Sequence, residues 1–169
     1  MKYSTLFALS VSLFMAGGSA AEAWEWTPWG LEHGTTPPPG AFLGGTEQVT
    51  GENRTRQLWI CQIEDTIGIH PGKVVEGYCN IGYDSKERKY GSYRVLTNVA
   101  AAHWVHASNG EVPNGAFEGG REPERTLYVC RGPYNNGVHP GKIVDHACNI
   151  PWGGGEPHLS NYEVLIVDR

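Results

Sequence analysis

Charged side chains are scarce in this sequence, and no stretch of it is strongly basic. Asp, Glu, Lys and Arg make up 18% of the 169 residues and the net charge is -5, whereas an average globular protein carries about a quarter charged residues. Nucleic-acid-binding proteins normally present a basic patch or stripe to the phosphates. We therefore expect no nucleic-acid partner.

The sequence also lacks the short motifs that mark common catalytic and metal sites. It contains no G-x-S-x-G, P-loop, H-E-x-x-H or G-x-G-x-x-G pattern, and no two cysteines have C-x-x-C spacing. We therefore predict that the protein is not an enzyme and that it needs no metal or other cofactor.

Long apolar runs are absent outside the N-terminal region. Lys2 precedes the apolar stretch LFALSVSLFM (6–15), and the small residues AGGSAAEA (16–23) follow it. This order is typical of a secretory signal peptide, so we predict one over residues 1–23, cleaved after Ala20 or Ala23. The mature chain would have no transmembrane segment. It would be secreted to the extracellular space, or to the periplasm if a Gram-negative bacterium makes it.

The four cysteines form an even set, which in an exported protein indicates disulfides. Cys61 and Cys79 are separated by eighteen positions, as are Cys130 and Cys148. The equal spacing favours the pairs Cys61–Cys79 and Cys130–Cys148. Other connectivities, or four reduced and buried thiols, stay open at this point.

The sequence contains an internal repeat. The stretch GIHPGKVVEGYCNI (68–81) returns as GVHPGKIVDHACNI (137–150), and GAFLGGTE (40–47) returns as GAFEGGRE (115–122). The first copy carries six extra residues between Glu47 and Cys61. We divide the mature chain into a first repeat, residues 24–98, and a second repeat, residues 99–169, which form one compact unit.

Each repeat shows β signals and almost no helical periodicity. Short aromatic and β-branched runs such as QLWICQI, GSYRVLT, TLYVCR and NYEVLIV alternate with Gly-, Pro- and Asn-rich turns. We expect about four strands in each repeat. A lone four-stranded sheet exposes an apolar face, so the two copies should pack on each other. The prediction is an all-β, pseudo-twofold antiparallel sandwich or barrel.

Four polar residues occupy matching places in the two repeats. Lys73 and Lys142 follow Pro-Gly, which we expect to form a tight turn that projects the lysine, and Glu47 and Glu122 follow the Gly-Gly pair. A carboxylate can accept two sugar hydroxyl protons, and an ammonium can donate to the same sugar. Aromatic side chains could stack on the sugar; the candidates are Trp29, Tyr83, Trp104 and Trp152. Alternatively, these charges are ordinary surface residues of a structural or protein-interaction module.

The motifs WVHASNGEVPNGAFEGGRE, LYVCR, HPGK and NYEVL resemble the DM9 (DM-nine) repeat, in two tandem copies that cover nearly the whole mature chain. The resemblance implies two interlocked repeats. It also implies a metal-independent, mannose-type lectin whose sugar contacts are Glu47, Lys73, Glu122 and Lys142. The mannose binders of this kind have Asp where this chain has Glu. A homodimer formed through exposed sheet edges would fit a lectin, because multivalency raises avidity.

Overall fold

A computed structural model of the chain describes residues 24–168. The predicted signal peptide and Arg169 lie outside the described residues. Within them the structure has fourteen strands and one short 3-10 helix, η1 (Leu31–His33). The predicted all-β class is therefore confirmed.

The strands divide evenly between the two repeats. The first repeat contains β1 (Glu25–Gly30), β2 (Leu43–Gln48), β3 (Thr55–Asp65), β4 (Gly68–Val75), β5 (Tyr78–Tyr83), β6 (Lys86–Tyr90) and β7 (Ser92–Thr97). The second contains β8 (Ala102–Ser108), β9 (Glu118–Glu122), β10 (Arg125–Tyr134), β11 (Gly137–Val144), β12 (Ala147–Asn149), β13 (His158–Leu159) and β14 (Asn161–Val167).

Seven strands in each repeat exceed the four that the sequence patterns predicted. The run KVVEGYCNIGY reads as one strand, but a tight turn divides it into β4 and β5. Both turn residues are left-handed, with φ 52° at Glu76 and φ 83° at Gly77. Such a turn matches the twist of a two-stranded hairpin. Strands β1, β6, β8 and β13 lie outside the runs that the sequence patterns indicated.

The prediction of a Pro-Gly turn is wrong. Pro71 and Gly72 lie inside β4, and Pro140 and Gly141 lie inside β11. In the second repeat the hairpin reverses earlier, at Asn135 and Asn136, whose φ values are 37° and 59°. Two consecutive asparagines tolerate this conformation well. The lysine after each Pro-Gly pair is therefore a strand residue.

Six strands close into a ring to which both repeats contribute. Around the ring, β3 pairs with β4, β4 with β9, β9 with β10, β10 with β11, β11 with β2, and β2 with β3, all antiparallel. The β4–β9 and β2–β11 pairs cross between the repeats. Strands β7 and β1 extend the first repeat outward from β3, and β14 and β8 extend the second from β10. This arrangement confirms the pseudo-twofold barrel.

The copied Gly-Gly pairs lie where the ring crosses between repeats. A Cβ on Gly45 would collide with the carbonyl oxygen of Val138 in β11, and a Cβ on Gly120 would collide with that of Ile69 in β4. The preceding glycine of each pair faces the proline of the other repeat's His-Pro-Gly-Lys motif. The two motifs are therefore copied together because they meet across the crossing points.

Three apolar clusters fill the interior. One surrounds the Cys61–Cys79 disulfide in the first repeat, and one surrounds Cys130–Cys148 in the second. The third joins the repeats through buried residues of both; these are Ile60, Leu96, Phe117, Val129, Leu165 and Val167. The predicted disulfide pairing is confirmed, and the shared cluster makes the two repeats depend on each other for a complete core.

Candidate functional site

Lys73 and Lys142 are almost completely buried, with 1% and 2% of their surfaces exposed. Lys73 Nζ lies 2.8 Å from His139 Nδ1, and Lys142 Nζ lies 3.1 Å from His70 Nδ1. Each lysine thus bonds to a histidine of the other repeat. A buried ammonium is stable only when it has such partners, because burial removes its hydration. The lysines are therefore interior residues as well as candidates for ligand contact.

The backbone determines which nitrogen of each histidine carries the proton. His139 Nε2 lies 3.0 Å from the carbonyl oxygen of Tyr134, and His70 Nε2 lies 3.0 Å from that of Ile67. A carbonyl oxygen only accepts, so Nε2 is the protonated nitrogen in both rings. Nδ1 is then free to accept a hydrogen bond from the lysine. Both imidazoles are neutral in this arrangement.

The buried Lys–His contacts change the acidity of both partners. Desolvation, the largest cause, lowers the pKa of Lys73 to about 8 and that of His139 to about 4. The Glu47 carboxylate partly restores the pKa of Lys73, whereas the Lys73 charge lowers the pKa of His139 further. Burial also lowers the pKa values of Lys142 and His70. At neutral pH Lys73 remains mostly charged and both histidines are neutral.

Glu122 shares the surroundings of Lys142. Its Oε1 lies 3.9 Å from His70 Nδ1, the nitrogen to which Lys142 donates, and its Oε2 accepts from Arg125 Nε at 3.0 Å. Arg125 Nη1 also donates to Asp145 Oδ1 at 3.0 Å. The structure thus brings the predicted pair Glu122 and Lys142 together around an imidazole of the first repeat.

Glu47 and Lys73 form the corresponding pair around His139. Glu47 Oε2 lies 3.7 Å from His139 Nδ1, and Glu47 Oε1 accepts from Arg56 Nη1 at 3.0 Å. Arg56 Nη2 donates to Glu76 at 2.7 Å. All four residues predicted from the sequence are therefore placed in two equivalent pairs.

A cavity of about 650 Å³, here called the Lys142 cavity, opens beside the second pair. Lys142 Nζ donates to Gly82 O at 2.6 Å and lies 3.8 Å from Glu156 Oε1, and it sits 5.5 Å from the centre of the Tyr83 ring. Its bonds to His70 and Gly82 use two of the three ammonium protons, and the Glu156 carboxylate lies close to the same ammonium. Both repeats form its walls, with Tyr83 from the first repeat and Glu122, Arg125, Asp145 and Glu156 from the second.

The lining of the Lys142 cavity carries more negative than positive charge. Four carboxylates line it, from Asp84, Glu122, Asp145 and Glu156, against the two cations Arg125 and Lys142. Like charges repel strongly where water is partly excluded. The cavity therefore suits a neutral, hydroxyl-rich ligand better than an anionic one.

The surroundings of Lys73 differ because the six-residue insertion lies beside them. The insertion forms the β2–β3 loop, where Val49 N donates to Arg54 O at 2.9 Å and Gln48 N donates to Asn136 O at 3.1 Å. A separate cavity of about 500 Å³ lies between this loop and Trp152. The two Lys–Glu pairs are thus related in chemistry and different in access.

Sequence reasoning missed three further pairs of site residues. Arg56 and Arg125, Glu76 and Asp145, and Glu87 and Glu156 are each separated by 69 positions, as are Lys73 and Lys142. Glu87 accepts from Gly154 N at 2.8 Å and Glu156 accepts from Ser85 N at 3.0 Å, so both carboxylates cross between repeats. Extending the 69-residue offset from the lysines would have found all three pairs.

The four predicted aromatic residues separate into two groups. Tyr83 lines the Lys142 cavity, and Trp152 lines the cavity beside the insertion. Trp104 lies under the Arg131 guanidinium at 4.0 Å, and Trp29 stacks on His33 at 4.1 Å. Of the four, Tyr83 therefore lines a cavity that also contains a Lys–Glu pair.

Metal-ligand clusters and membrane-spanning helices are both absent from residues 24–168. No three His, Cys, Asp or Glu side chains in this range are arranged to hold a metal ion. No helix in the same range has the length and apolar character that crossing a bilayer requires. The two disulfides fit an extracellular protein, because reducing compartments disfavour them.

The protein is a β-barrel built from two repeats. Reciprocal Lys–His hydrogen bonds join the repeats, and a polar cavity lies beside one of these contacts. The model of the DM9 repeat matches residues 52–144 and 122–169, which is more than half of the chain. The protein belongs to the DM9 repeat family, as the sequence motifs indicated. Domains of this family are known in general as carbohydrate-binding. No curated protein matches the sequence.

Proposed function

We propose that this protein is a secreted, metal-independent, non-catalytic carbohydrate-binding protein with two related sites. The observation that carries the proposal is the convergence of a carboxylate, an ammonium and a guanidinium on the Lys142 cavity, with Tyr83 on its wall. The Glu47–Lys73 pair is the related site of the first repeat. Membership of a carbohydrate-binding family supports this assignment.

The chemistry of the cavity suits a neutral sugar. Glu122 can accept two hydroxyl protons, while Lys142 and Arg125 donate to sugar oxygens. Tyr83 offers an aromatic surface to the apolar face of the ring. Mannose is the first sugar to test, because mannose binders resemble this chain. Glu122 in place of the aspartate of those lectins moves the carboxylate by one methylene, so the preferred sugar need not be mannose.

A second candidate function is a protein-interaction module without glycan binding. The observation that favours it is the internal use of both lysines, which are buried and bonded to the other repeat's histidines. Their duplication has an architectural explanation that needs no ligand. Ligand binding must therefore be tested directly.

The test is a glycan array, run with and without a chelator. The protein is expressed with residues 1–23 and collected after secretion. Its folding is checked by a cooperative melting transition, and mass spectrometry shows whether the N-terminus begins after Ala20 or Ala23. We expect chelator-insensitive binding to neutral glycans, little binding to sialylated or sulfated ones, and recovery of the bound glycan unchanged.

Each other outcome has a defined meaning. A folded protein that binds no glycan would favour the interaction module. Binding that a chelator abolishes would contradict metal independence, and cleavage of the glycan would contradict the non-catalytic assignment. Light scattering on the same sample tests the homodimer.

A further inference from the structure

Three neighbouring cavities, lined mainly by the second repeat, share lining residues and are here called the trough. Arg125, Val144 and Asp145 line both the Lys142 cavity and a neighbouring groove of about 370 Å³. Val112 and Tyr128 line that groove and also a third cavity of about 920 Å³. Each volume lies within the range of about 300–1,000 Å³ typical of small-ligand sites. The trough is therefore longer than one sugar ring requires.

Tyr128 occupies the middle of this trough. Its side chain is half-buried in β10 and borders two of the three cavities. Ile143 lies in the same groove, and the exposed Arg125–Asp145 ion pair separates the groove from the Lys142 cavity. An aromatic surface beside paired donors and acceptors matches a sugar ring, which has an apolar face and hydroxyls at its edge.

The first repeat carries the corresponding groove. Its cavity of about 470 Å³ is lined by Trp59, Val74, Arg56 and Glu76. Trp59 replaces Tyr128, and the Arg56–Glu76 pair, 2.7 Å apart, replaces Arg125–Asp145. An aromatic residue and an Arg–acid pair thus occur together in both repeats, beside each Lys–Glu pair.

We infer that the trough binds a linear oligosaccharide, with one sugar in the Lys142 cavity and a following sugar over Tyr128. The inference rests on the proposed function and specifies its ligand as a chain of at least two linked sugars. Tyr128 then determines the preference for chain length, while Lys142 and Glu122 determine whether any sugar binds. The groove at Trp59 does the same for the first repeat.

The experiment compares the dissociation constants of mannose and of linear mannotriose by calorimetry. We expect the wild-type protein to bind mannotriose roughly tenfold more tightly, a factor that corresponds to about 1.4 kcal/mol. Tyr128→Leu should lose part of this preference, and Trp59→Leu/Tyr128→Leu should lose nearly all of it. Tyr128→Phe, which keeps the ring, should retain it. The ratio of the two constants is measured within each variant, so a partly destabilised sample does not distort it.

The outcomes separate this inference from the proposed function. If mannose and mannotriose bind with equal affinity, or if the double variant keeps the wild-type ratio, the trough is not an extended site and the proposed function stands. If neither sugar binds a folded wild-type protein, the inference is overturned, whereas the proposed function is decided by the glycan array. A mannotriose preference that depends on the aromatic rings supports both, and it excludes simple bridging of the two Lys–Glu pairs.

Discussion

Lys73 Nζ lies 2.8 Å from His139 Nδ1, although 66 residues separate them in the chain. Lys142 and His70 make the reciprocal contact at 3.1 Å. The lysine of each His-Pro-Gly-Lys motif therefore donates to the histidine of the other motif. The motif joins the repeats in both directions, and its duplication is required by the barrel before any ligand is considered.

Replacing Lys73 by methionine should lower the free energy of unfolding by about 1–3 kcal/mol, because His139 Nδ1 loses its donor while it stays buried. Methionine keeps the length of the side chain and limits any cavity. Urea unfolding provides the measurement. Lys89→Met, at an exposed position of β6, is the matched control and should change stability by less than about 0.5 kcal/mol.

The same contact can be isolated with a double-mutant cycle. Lys73→Met combined with His139→Leu should cost less than the sum of the two single changes, because no unpaired group remains. Strict additivity would show that the two side chains do not interact in solution.

Stability should fall as the pH drops below 6.5. His139 has a pKa of about 4 in the fold and 6.5 as the ordinary value, so the unfolded chain binds more protons between these limits. Over that whole interval the difference corresponds to about 3 kcal/mol. Urea unfolding between pH 6.5 and 5, where few carboxylates titrate, measures the effect. In His139→Gln the free energy of unfolding should depend less on pH over this range.

Lys73 should also make stability rise with pH, in the alkaline range. Lys73 has a pKa of about 8 in the fold against 10.5 ordinarily, so the unfolded chain again binds more protons between these limits. The Lys73 contribution to stability should therefore rise from pH 8 to 10.5. If Lys73→Met leaves the pH dependence of stability between pH 8 and 10.5 unchanged, Lys73 is not desolvated.

The repeat, the strand class and the disulfides could be predicted because each depends on local or strictly periodic information. Equal spacing of Cys61–Cys79 and Cys130–Cys148 favoured the pairing that the structure shows, although the sequence left the other connectivities open. The candidate pairs Glu47–Lys73 and Glu122–Lys142 were found by the same comparison of matching positions.

The burial of the lysines could not be predicted, because it depends on contacts between repeats. Pro71–Gly72 has the composition of a turn, but its proline packs on the other repeat's Gly-Gly pair and holds the segment in a strand. No local pattern reports that Lys73 will meet His139. The asymmetry between the two pairs likewise depends on where the insertion folds.

Replacing Gly45 or Gly120 by alanine should destabilise the six-stranded ring. Each added methyl group would collide with a carbonyl oxygen of the other repeat, and overpacking of this kind costs about 3 kcal/mol at the upper end of its usual range. Gly155→Ala is the control, because its Cβ would meet nothing closer than 3.7 Å. Thermal unfolding distinguishes them, and a Gly120→Ala variant as stable as the wild type would contradict the close crossing of β9 and β4.

Removing either disulfide should cost a similar amount. Both pairs have a sequence separation of 18 and join equivalent strands, and a closed loop of this length stabilises the fold by roughly 3 kcal/mol. The variants Cys61→Ala/Cys79→Ala and Cys130→Ala/Cys148→Ala are compared by denaturant unfolding. A large difference between them would show that the two repeats do not contribute equally to the folded state.

Glu122→Gln tests the proposed site with little change in the fold. The glutamine keeps the shape of the side chain but removes the charge, and a hydrogen bond to a charged group contributes about 1.5–3 kcal/mol, so mannose binding should weaken at least tenfold. Arg125 retains Asp145 as its partner at 3.0 Å, so the melting temperature should change little. Glu64→Gln is the matched control, since Glu64 also pairs with an arginine, Arg94, at 2.7 Å on the surface. Calorimetry measures the mannose affinity of both variants. Equal affinity of Glu122→Gln and the wild type would remove this carboxylate from the sugar site and leave it as a partner of Arg125 alone.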